Sequence, residues 1–266
     1  MAFYYIVLVA FIQGITEFLP ISSSAHLMLL PKFTNHVDQG LMIDVAAHFG
    51  TMLAVCLYFI KDVWKIALGG FDCLRLKIHS QNSKLFLNIV IGTLPVIIAG
   101  FIVHQYFVNG MRHIEIIAFG TIVFALFLYW SDKYFISIKK MQHMNLKDAF
   151  LIGLAQICAL IPGASRSGVT MTMGRFLGYE RPAAAEFSLL LSIPTILGSA
   201  TLITYDIIKQ GDIQLTRDAL IVAAVSALVA FCTIHFLMNW LKKSTFTIFV
   251  IYRILLGLVL VSYLYF

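Results

Sequence analysis

The chain has 266 residues, of which 60% are hydrophobic and 12% carry a formal charge. Soluble globular domains contain about 25% charged residues, so this composition excludes an ordinary soluble domain. The net charge of +6 does not indicate a nucleic-acid-binding protein, because no basic run exceeds two residues. The lysines and arginines lie mostly between apolar runs, which is how membrane proteins set their orientation.

The apolar N-terminus resembles a signal peptide. It has no lysine or arginine before Lys32, however, and it contains Gln13 and Glu17 within the apolar run, so we expect it to be retained. The four cysteines are isolated, without a CxxC pair, and we expect them to pack without disulfide or metal roles.

Six apolar runs are long enough to cross a hydrocarbon layer of ~30 Å as single helices. They lie at about 41–60, 85–103, 113–130, 183–205, 218–238 and 246–265. The polar segments 70–84 and 131–147 are predicted to be cytoplasmic loops or short interfacial helices.

Two further apolar stretches, about 1–30 and 148–178, are interrupted in the middle. The interruptions are Leu-Pro-Ile-Ser-Ser-Ser at 19–24 and Ile-Pro-Gly-Ala-Ser-Arg-Ser at 161–167. Proline removes a backbone donor, and such a break at membrane depth is tolerated only where it is buried in protein or lines a cavity. We therefore predict that each stretch forms a re-entrant hairpin of two half-helices.

The predicted order is a hairpin and three spans, followed by a second hairpin and three spans. Pro162 lies 142 positions after Pro20, and the residues before the two prolines superimpose at that shift. Because three is odd, the second unit enters from the opposite side. The sequence thus predicts a single all-α integral membrane domain over 1–266, built from inverted-topology repeats at about 1–130 and 148–266.

The distribution of positive charge gives an orientation. The predicted loops on the side opposite the N-terminus hold twelve lysines and arginines, whereas the N-terminal side holds four, namely Lys32, Arg112, Lys209 and Arg217. Both termini are therefore predicted to be outside the cell. The second half-helix of each hairpin begins at its tip, so two positive helix N-termini converge at membrane depth, where they attract an anion.

Polar side chains concentrate in the two hairpins. A charged group at membrane depth costs ~2.5–3.5 kcal/mol and therefore calls for a reason. A buried arginine binds phosphate bidentately, hydroxyls add donors, and a carboxylate with an imidazole can transfer protons. The candidates are Gln13, Glu17, Ser22, Ser23, Ser24 and His26 in the first hairpin, and Ser165, Arg166, Ser167 and Thr170 in the second.

Each candidate also has a structural explanation. Serines at the tips can satisfy backbone groups, His26 can be a paired interior histidine, and Glu17 can neutralise Arg166 in an ion pair. An ion pair alone does not explain the imidazole and the three serines beside it. We interpret a further group of intramembrane polar residues near span ends as structural or interfacial: Asp44, His48, Glu186 and Arg253.

Two motifs are similar to those of a known family. Residues 13–26, Gln-Gly-Ile-Thr-Glu-Phe-Leu-Pro-Ile-Ser-Ser-Ser-Ala-His, closely resemble the first signature of the bacitracin-resistance type undecaprenyl-diphosphate phosphatases. Residues 162–170, Pro-Gly-Ala-Ser-Arg-Ser-Gly-Val-Thr, resemble the second signature. Further similarity at 44–51, 186–188 and 251–253 extends the resemblance over essentially the whole chain.

The resemblance implies an enzyme of the bacterial inner membrane that hydrolyses undecaprenyl diphosphate, recycles the lipid carrier of peptidoglycan synthesis and confers bacitracin resistance. It also implies inverted repeats around a cavity open to the periplasm. By motif position, the catalytic candidates are Glu17, Ser23, His26 and Arg166, with Ser165 and Thr170 as phosphate contacts. Gln13, Ser22, Ser24 and Ser167 complete the predicted substrate-binding set.

The family uses a divalent cation, usually Mg²⁺ or Ca²⁺, and carries Glu or Gln at the position of Gln13. Glutamine cannot ionise, so Gln13 is limited to a neutral carbonyl ligand. Metal binding then rests on Glu17 and on substrate oxygens, and we expect the cation to arrive with the diphosphate.

The residues leave several alternatives open. The nucleophile is either water or Ser23, and the separate roles of Glu17 and His26 are not fixed. Broken helices in inverted repeats are also typical of transporters, so a translocator of an anionic polyprenyl lipid is the alternative function. The other membrane lipid-phosphatase superfamily is excluded, because it has a histidine and an aspartate after a Ser-Arg pair, and neither residue type follows Arg166 within the same hairpin. Oligomeric state, prenyl length and lipid flipping stay open.

Overall fold

The computed structural model describes residues 3–34, 36, 39–107, 113–135, 137–210 and 217–265. Of the residues used to predict orientation, Arg112 and the side chain of Lys209 lie outside the described set. The described chain is all-α and has no named strand. Its helices are α1 (Phe3–Thr16), α2 (Ser23–Thr34), α3 (Leu41–Tyr58), α4 (Ile60–Leu74), α5 (Gln81–Phe107), α6 (Ile114–Tyr134), α7 (Leu146–Gln156), α8 (Arg166–Phe176), α9 (Arg181–Gln210), α10 (Arg217–Leu241) and α11 (Thr247–Tyr265).

Six of the described helices are long and apolar enough to cross a membrane, namely α3, α5, α6, α9, α10 and α11. They coincide with the six predicted spans, which confirms a multi-pass membrane protein. Large apolar side chains on these helices, such as Ile98, Phe101 and Leu228, are exposed, as expected for a surface solvated by lipid. The four cysteines are free.

The two interrupted stretches each form a pair of helices around a break. Residues 17–22 separate α1 from α2, and residues 161–165 separate a 3-10 turn (Ile157–Leu160) after α7 from α8. Each break ends on a serine with a positive φ angle, 74° at Ser22 and 68° at Ser165. Such backbone angles cost about 1–3 kcal/mol in a residue other than glycine and persist where the surroundings fix them. The re-entrant insertion of these pairs and the inverted repeat stay predictions.

A buried arginine from α11 holds the two breaks together. Arg253 Nη2 donates to the carbonyl oxygens of Gly163 at 2.8 Å and Ala164 at 3.0 Å, and Nη1 donates to Pro20 O at 3.4 Å. Ser167 Oγ adds a further link by donating to Leu19 O at 3.0 Å. The interpretation of Arg253 as structural fits these contacts, although the side chain is fully buried and not interfacial.

The predicted loop regions contain more helix than a plain loop. After a break at Phe59, α4 follows α3 directly. It packs closely on α5: a Cβ atom on Gly69 would lie only 2.1 Å from Asn82 O. Segment 70–84 therefore contains the end of α4 and the start of α5, and segment 131–147 contains the end of α6, a short 3-10 turn and the start of α7.

Candidate active site

Glu17 lies in the break after α1 and is the centre of the polar cluster. Its side chain is 6% exposed, and Oε1 accepts a hydrogen bond from Arg166 Nη2 at 2.8 Å. Its other oxygen, Oε2, accepts from Ser23 Oγ at 2.6 Å and from Gln13 Nε2 at 3.0 Å. The structure thus brings together four of the predicted site residues, which come from both breaks.

Arg166 is the first residue of α8 and remains partly accessible, with 13% of its side chain exposed. Besides Glu17, it donates through Nη1 to Ser188 O at 3.2 Å, and its guanidinium lies 5.8 Å from the centre of the Phe18 ring. A guanidinium has five N–H donors, and these two hydrogen bonds use two of them. Arg166 is therefore oriented by the protein and still has donors for an anionic ligand.

Both ring nitrogens of His26 contact groups other than Glu17, and one of these groups lies on α11. Its Nδ1 lies 2.7 Å from Ser22 O, and its Nε2 lies 2.6 Å from the hydroxyl of Tyr252. The two rings are nearly parallel, with centroids 5.7 Å apart. Ser24 Oγ lies 3.3 Å from Ser22 Oγ in the same turn. The contact with Tyr252 was not predicted, and the catalytic role of His26 stays a prediction.

The hydroxyls of the second break are buried and hydrogen-bonded within the protein. Ser165 caps α8 by accepting from Gly168 N at 3.2 Å. Thr170 Oγ1 donates to Arg166 O at 2.9 Å and lies 2.6 Å from Ser188 Oγ. With Ser167 bonded to Leu19 O, these groups shape the tip of the second break. Their predicted contacts with phosphate stay predictions.

Comparison with known proteins places the chain in a family. Residues 6–259 match the family model described as "Bacitracin resistance protein BacA". The chain belongs to this family. It is 46% identical over the whole length of both chains to a protein of Roseobacter denitrificans named undecaprenyl-diphosphatase. Proteins of the same name from Jannaschia sp. and Idiomarina loihiensis are 43% identical over the full length and 42% identical over 96% of each chain.

The residues that match the BacA family model include the polar cluster around Glu17. Both motifs that form the Glu17–Arg166 contact lie within the matched residues. The match and the relatives favour an enzyme over the transporter that the broken helices also allowed.

His48 also belongs to the cluster, although its position near the end of a predicted span favoured a structural or interfacial role. Its Nε2 lies 3.5 Å from Glu17 Oε2, and its Nδ1 lies 2.8 Å from Asp44 O one turn earlier in α3. The similarity of residues 44–51 to the family gave a reason to include it. The periodicity of apolar residues gives no such reason, because the rotation of α3 about its axis depends on the helices packed against it.

The donor atoms around Glu17 fit an oxygen-binding cation. Gln13 is fully buried and its Oε1 has no hydrogen-bond partner among the described residues, although Nε2 of the same amide contacts Glu17. A free amide oxygen beside a carboxylate is a ligand pair suited to Mg²⁺ or Ca²⁺. The described residues contain no group of three or more His, Cys, Asp or Glu side chains suited to a metal, so substrate oxygens would complete the coordination.

Proposed function

We propose that this chain hydrolyses undecaprenyl diphosphate to undecaprenyl phosphate and inorganic phosphate. Its membership in the BacA family and the names of its full-length relatives support this activity. The structural observation that carries the proposal is the placement of Ser23 and Arg166 on opposite oxygens of one buried carboxylate. The reaction recycles the lipid carrier for peptidoglycan synthesis and confers resistance to bacitracin.

Ser23 is the proposed nucleophile because its hydroxyl donates directly to Glu17, as a nucleophile does to its base. As Oγ forms a bond with the terminal phosphorus, its proton passes to Glu17. The bond from phosphorus to the bridging oxygen breaks, and undecaprenyl phosphate leaves with the electron pair. Water then attacks the phosphoserine, the Oγ–P bond breaks, and Glu17 returns its proton to Ser23 as dihydrogen phosphate leaves.

Arg166 supplies positive charge at the point where phosphoryl transfer needs it. In the free protein its charge is balanced by Glu17 at 2.8 Å. Protonation of Glu17 removes that negative charge, so the guanidinium can interact more strongly with the transferring phosphoryl group. Helices α2 and α8 begin at Ser23 and Arg166, which both contact Glu17, and the positive N-terminus of a helix favours an anion nearby. A divalent cation held by Glu17, Gln13 and substrate oxygens would add positive charge to the diphosphate.

The prenyl chain would lie along the apolar surface between spans. A groove of about 420 Å³ between α4, α5 and α9 is lined by apolar side chains and is open at the protein surface. Helix α9 connects it to the polar cluster, since Ser188 O contacts Arg166 and Leu190 and Ile193 line the groove. We therefore assign this groove to part of the prenyl chain.

We further propose that the protein lies in the bacterial inner membrane with both termini in the periplasm. The excess of lysine and arginine on the opposite side supports this orientation. The first break would then enter from the periplasm, and the site would open to that side.

Phosphate release by purified protein in detergent tests the function. The wild type should release phosphate from undecaprenyl diphosphate without any ion gradient, and Arg166→Ala should abolish the release. Short prenyl diphosphates and a chelator define the requirement for chain length and cation. If the pure protein binds the lipid without releasing phosphate, the proposal fails and a translocator becomes the better explanation.

A further inference from the structure

The orientation of His48 places a nitrogen lone pair beside Glu17. A carbonyl oxygen can only accept a hydrogen bond, so the contact of Nδ1 with Asp44 O at 2.8 Å requires the proton on Nδ1. In the neutral ring, Nε2 is then an acceptor. It lies 3.5 Å from Glu17 Oε2, which is also an acceptor. Two acceptors held this close favour a positive group between them, which is either a proton on Nε2 or a metal ion.

The amide of Gln13 offers a third electron pair at the same place. Its Nε2 lies 3.0 Å from Glu17 Oε2, while its Oε1 is buried and has no partner among the described residues. The two ends of an amide are nearly equal in shape. A half-turn of this group would place Oε1 where Nε2 now lies, facing Glu17 Oε2, and Nε2 would take the buried position of Oε1.

We propose that His48 Nε2, Glu17 Oε2 and Gln13 Oε1 form a divalent-cation site with His48 as a nitrogen ligand. Ligands at ~2.1 Å from a common ion are about 3.0–3.5 Å apart at octahedral to tetrahedral angles. The distances from Glu17 Oε2 to the His48 and Gln13 nitrogens, 3.5 Å and 3.0 Å, lie in this range. The inference rests on the proposed function and changes one expectation: the protein holds part of the site before the diphosphate arrives.

The surroundings of these three residues agree with a metal site. Arg166 contacts the other carboxylate oxygen, Oε1, so a cation would bind Oε2, which also accepts the hydrogen bond from Ser23 Oγ. The bond from His48 Nδ1 to Asp44 O orients the imidazole, as an outer-shell carbonyl does for most metal-binding histidines. The Asp44 carboxylate has a different partner, since its Oδ1 accepts from Gln39 Nε2 at 2.9 Å.

The proposed donor set has consequences for the choice of metal. Two oxygens and one imidazole nitrogen suit Mn²⁺ better than Ca²⁺, because Ca²⁺ binds almost entirely through oxygen. Three protein ligands leave further coordination positions for diphosphate oxygens or water. We therefore expect Mn²⁺ to bind the substrate-free protein, and to bind it more tightly than Ca²⁺.

Pulsed electron paramagnetic resonance with Mn²⁺ tests the nitrogen ligand directly. The protein is purified in detergent with a tag that contains no histidine, and one equivalent of Mn²⁺ is added without substrate. The wild type should show the ¹⁴N coupling of a directly bound imidazole. In protein produced with ¹⁵N-labelled histidine, the ¹⁴N coupling should be replaced by a ¹⁵N coupling. This comparison uses the wild-type sequence, so it does not depend on the stability of any variant.

Substitution assigns the nitrogen to a residue. His48→Gln should remove the coupling and raise the Mn²⁺ dissociation constant about 10-fold or more. His48→Asn is the second variant if the first does not fold. His235→Gln is the matched control, because His235 is exposed on α10 and its Nε2 contacts Asn239; it should keep the full coupling.

Several results would overturn the metal site. The first is a failure of Mn²⁺ to bind the protein without substrate, and the second is binding without histidine coupling. The third is a coupling that persists in His48→Gln and vanishes in His26→Gln, which would assign the nitrogen to His26. Phosphate release by the same wild-type preparation separates this inference from the proposed function. Phosphate release without histidine coupling would support the proposed function and contradict the nitrogen ligand. Histidine coupling without phosphate release would support the nitrogen ligand and contradict the proposed function.

Discussion

Glu17 Oε1 lies 2.8 Å from Arg166 Nη2, although 149 positions separate the two residues in the chain. Glu17 lies in the first helix break and Arg166 directly follows the second, so the contact forms only when the two breaks meet. Both side chains are largely buried, and removal of either would leave the other charge without its partner. The same contact therefore contributes to assembly of the fold and to placement of the reacting groups.

Replacing Glu17 by Gln should reduce phosphate release about 10²-fold or more, because an amide cannot accept the Ser23 proton. The amide oxygen can still accept from Arg166, so the variant should fold. Glu115→Gln is the control, since Glu115 is exposed in the first turn of α6. Full activity of purified Glu17→Gln would show that this carboxylate is not the base.

Ser23→Ala should lower phosphate release by at least about 10²-fold, because it removes the hydroxyl 2.6 Å from Glu17. Acid quenching of the wild type with substrate labelled in the terminal phosphate should trap the label on Ser23. Ser24→Ala is the comparison, since Ser24 Oγ contacts Ser22 and not Glu17. An active Ser23→Ala enzyme without a trapped intermediate would point to direct attack by water.

The features that the sequence predicted correctly have local causes. An apolar run of about twenty residues identifies a span wherever it lies in the chain. Proline followed by a run of small and polar residues marks the breaks at Pro20 and Pro162, whereas Pro95 and Pro194, which no such run follows, lie within α5 and α9. Glu17 and Arg166 were selected because a charge at membrane depth is costly, and their catalytic roles stay predictions. Their contact agrees with the expectation that the two breaks meet.

The contacts of His48 and Tyr252 could not be predicted in this way, because they depend on tertiary packing. Which face of α3 turns towards Glu17 is decided by its close approach to α10, where Gly50 lies against the backbone of Ala223. Hydroxyls such as that of Thr170 were ambiguous for another reason. A hydroxyl at a helix N-terminus can serve a phosphate or a backbone carbonyl, and only the fold shows the internal partner.

Arg253→Met should destabilise the protein, because it leaves the carbonyl oxygens of both breaks without their donor. An unsatisfied buried polar group costs about 1–3 kcal/mol. Thermal unfolding in detergent measures the effect, and Arg253→Lys should restore part of it. Arg75→Met is the control, since Arg75 is exposed after α4 and packs on Phe71. An unchanged melting temperature in Arg253→Met would mean that the breaks are held by other contacts.

Asp132→Asn should lower stability without altering the reacting groups. Asp132 is 5% exposed and accepts from Arg175 Nε at 3.0 Å, Arg181 Nε at 2.7 Å and Phe246 N at 3.1 Å. Loss of its charge leaves the buried Arg175 uncompensated, at a cost of about 3–5 kcal/mol. Denaturant unfolding measures this cost.

A matched control for Asp132 is the aspartate of an exposed pair. Asp62 contacts Lys65 at 2.7 Å on the surface of α4, and its substitution by Asn should change stability by less than about 1 kcal/mol. Equal effects of the two substitutions would contradict a special role for the buried network around Asp132.

Gly50→Ala tests whether the packing of α3 on α10 places His48. A Cβ atom at Gly50 would lie 2.1 Å from the carbonyl oxygen of Ala223 and 2.9 Å from its Cα atom, so the obstacle is backbone that cannot rotate away. The helices would have to separate, at a cost of about 1–3 kcal/mol. Because His48 lies two residues before Gly50, phosphate release should fall together with the melting temperature. Gly100→Ala should change neither, since its nearest neighbour would be Leu160 Cδ2 at 3.8 Å. A Gly50→Ala protein with wild-type melting and activity would show that α3 reaches its position without this close approach.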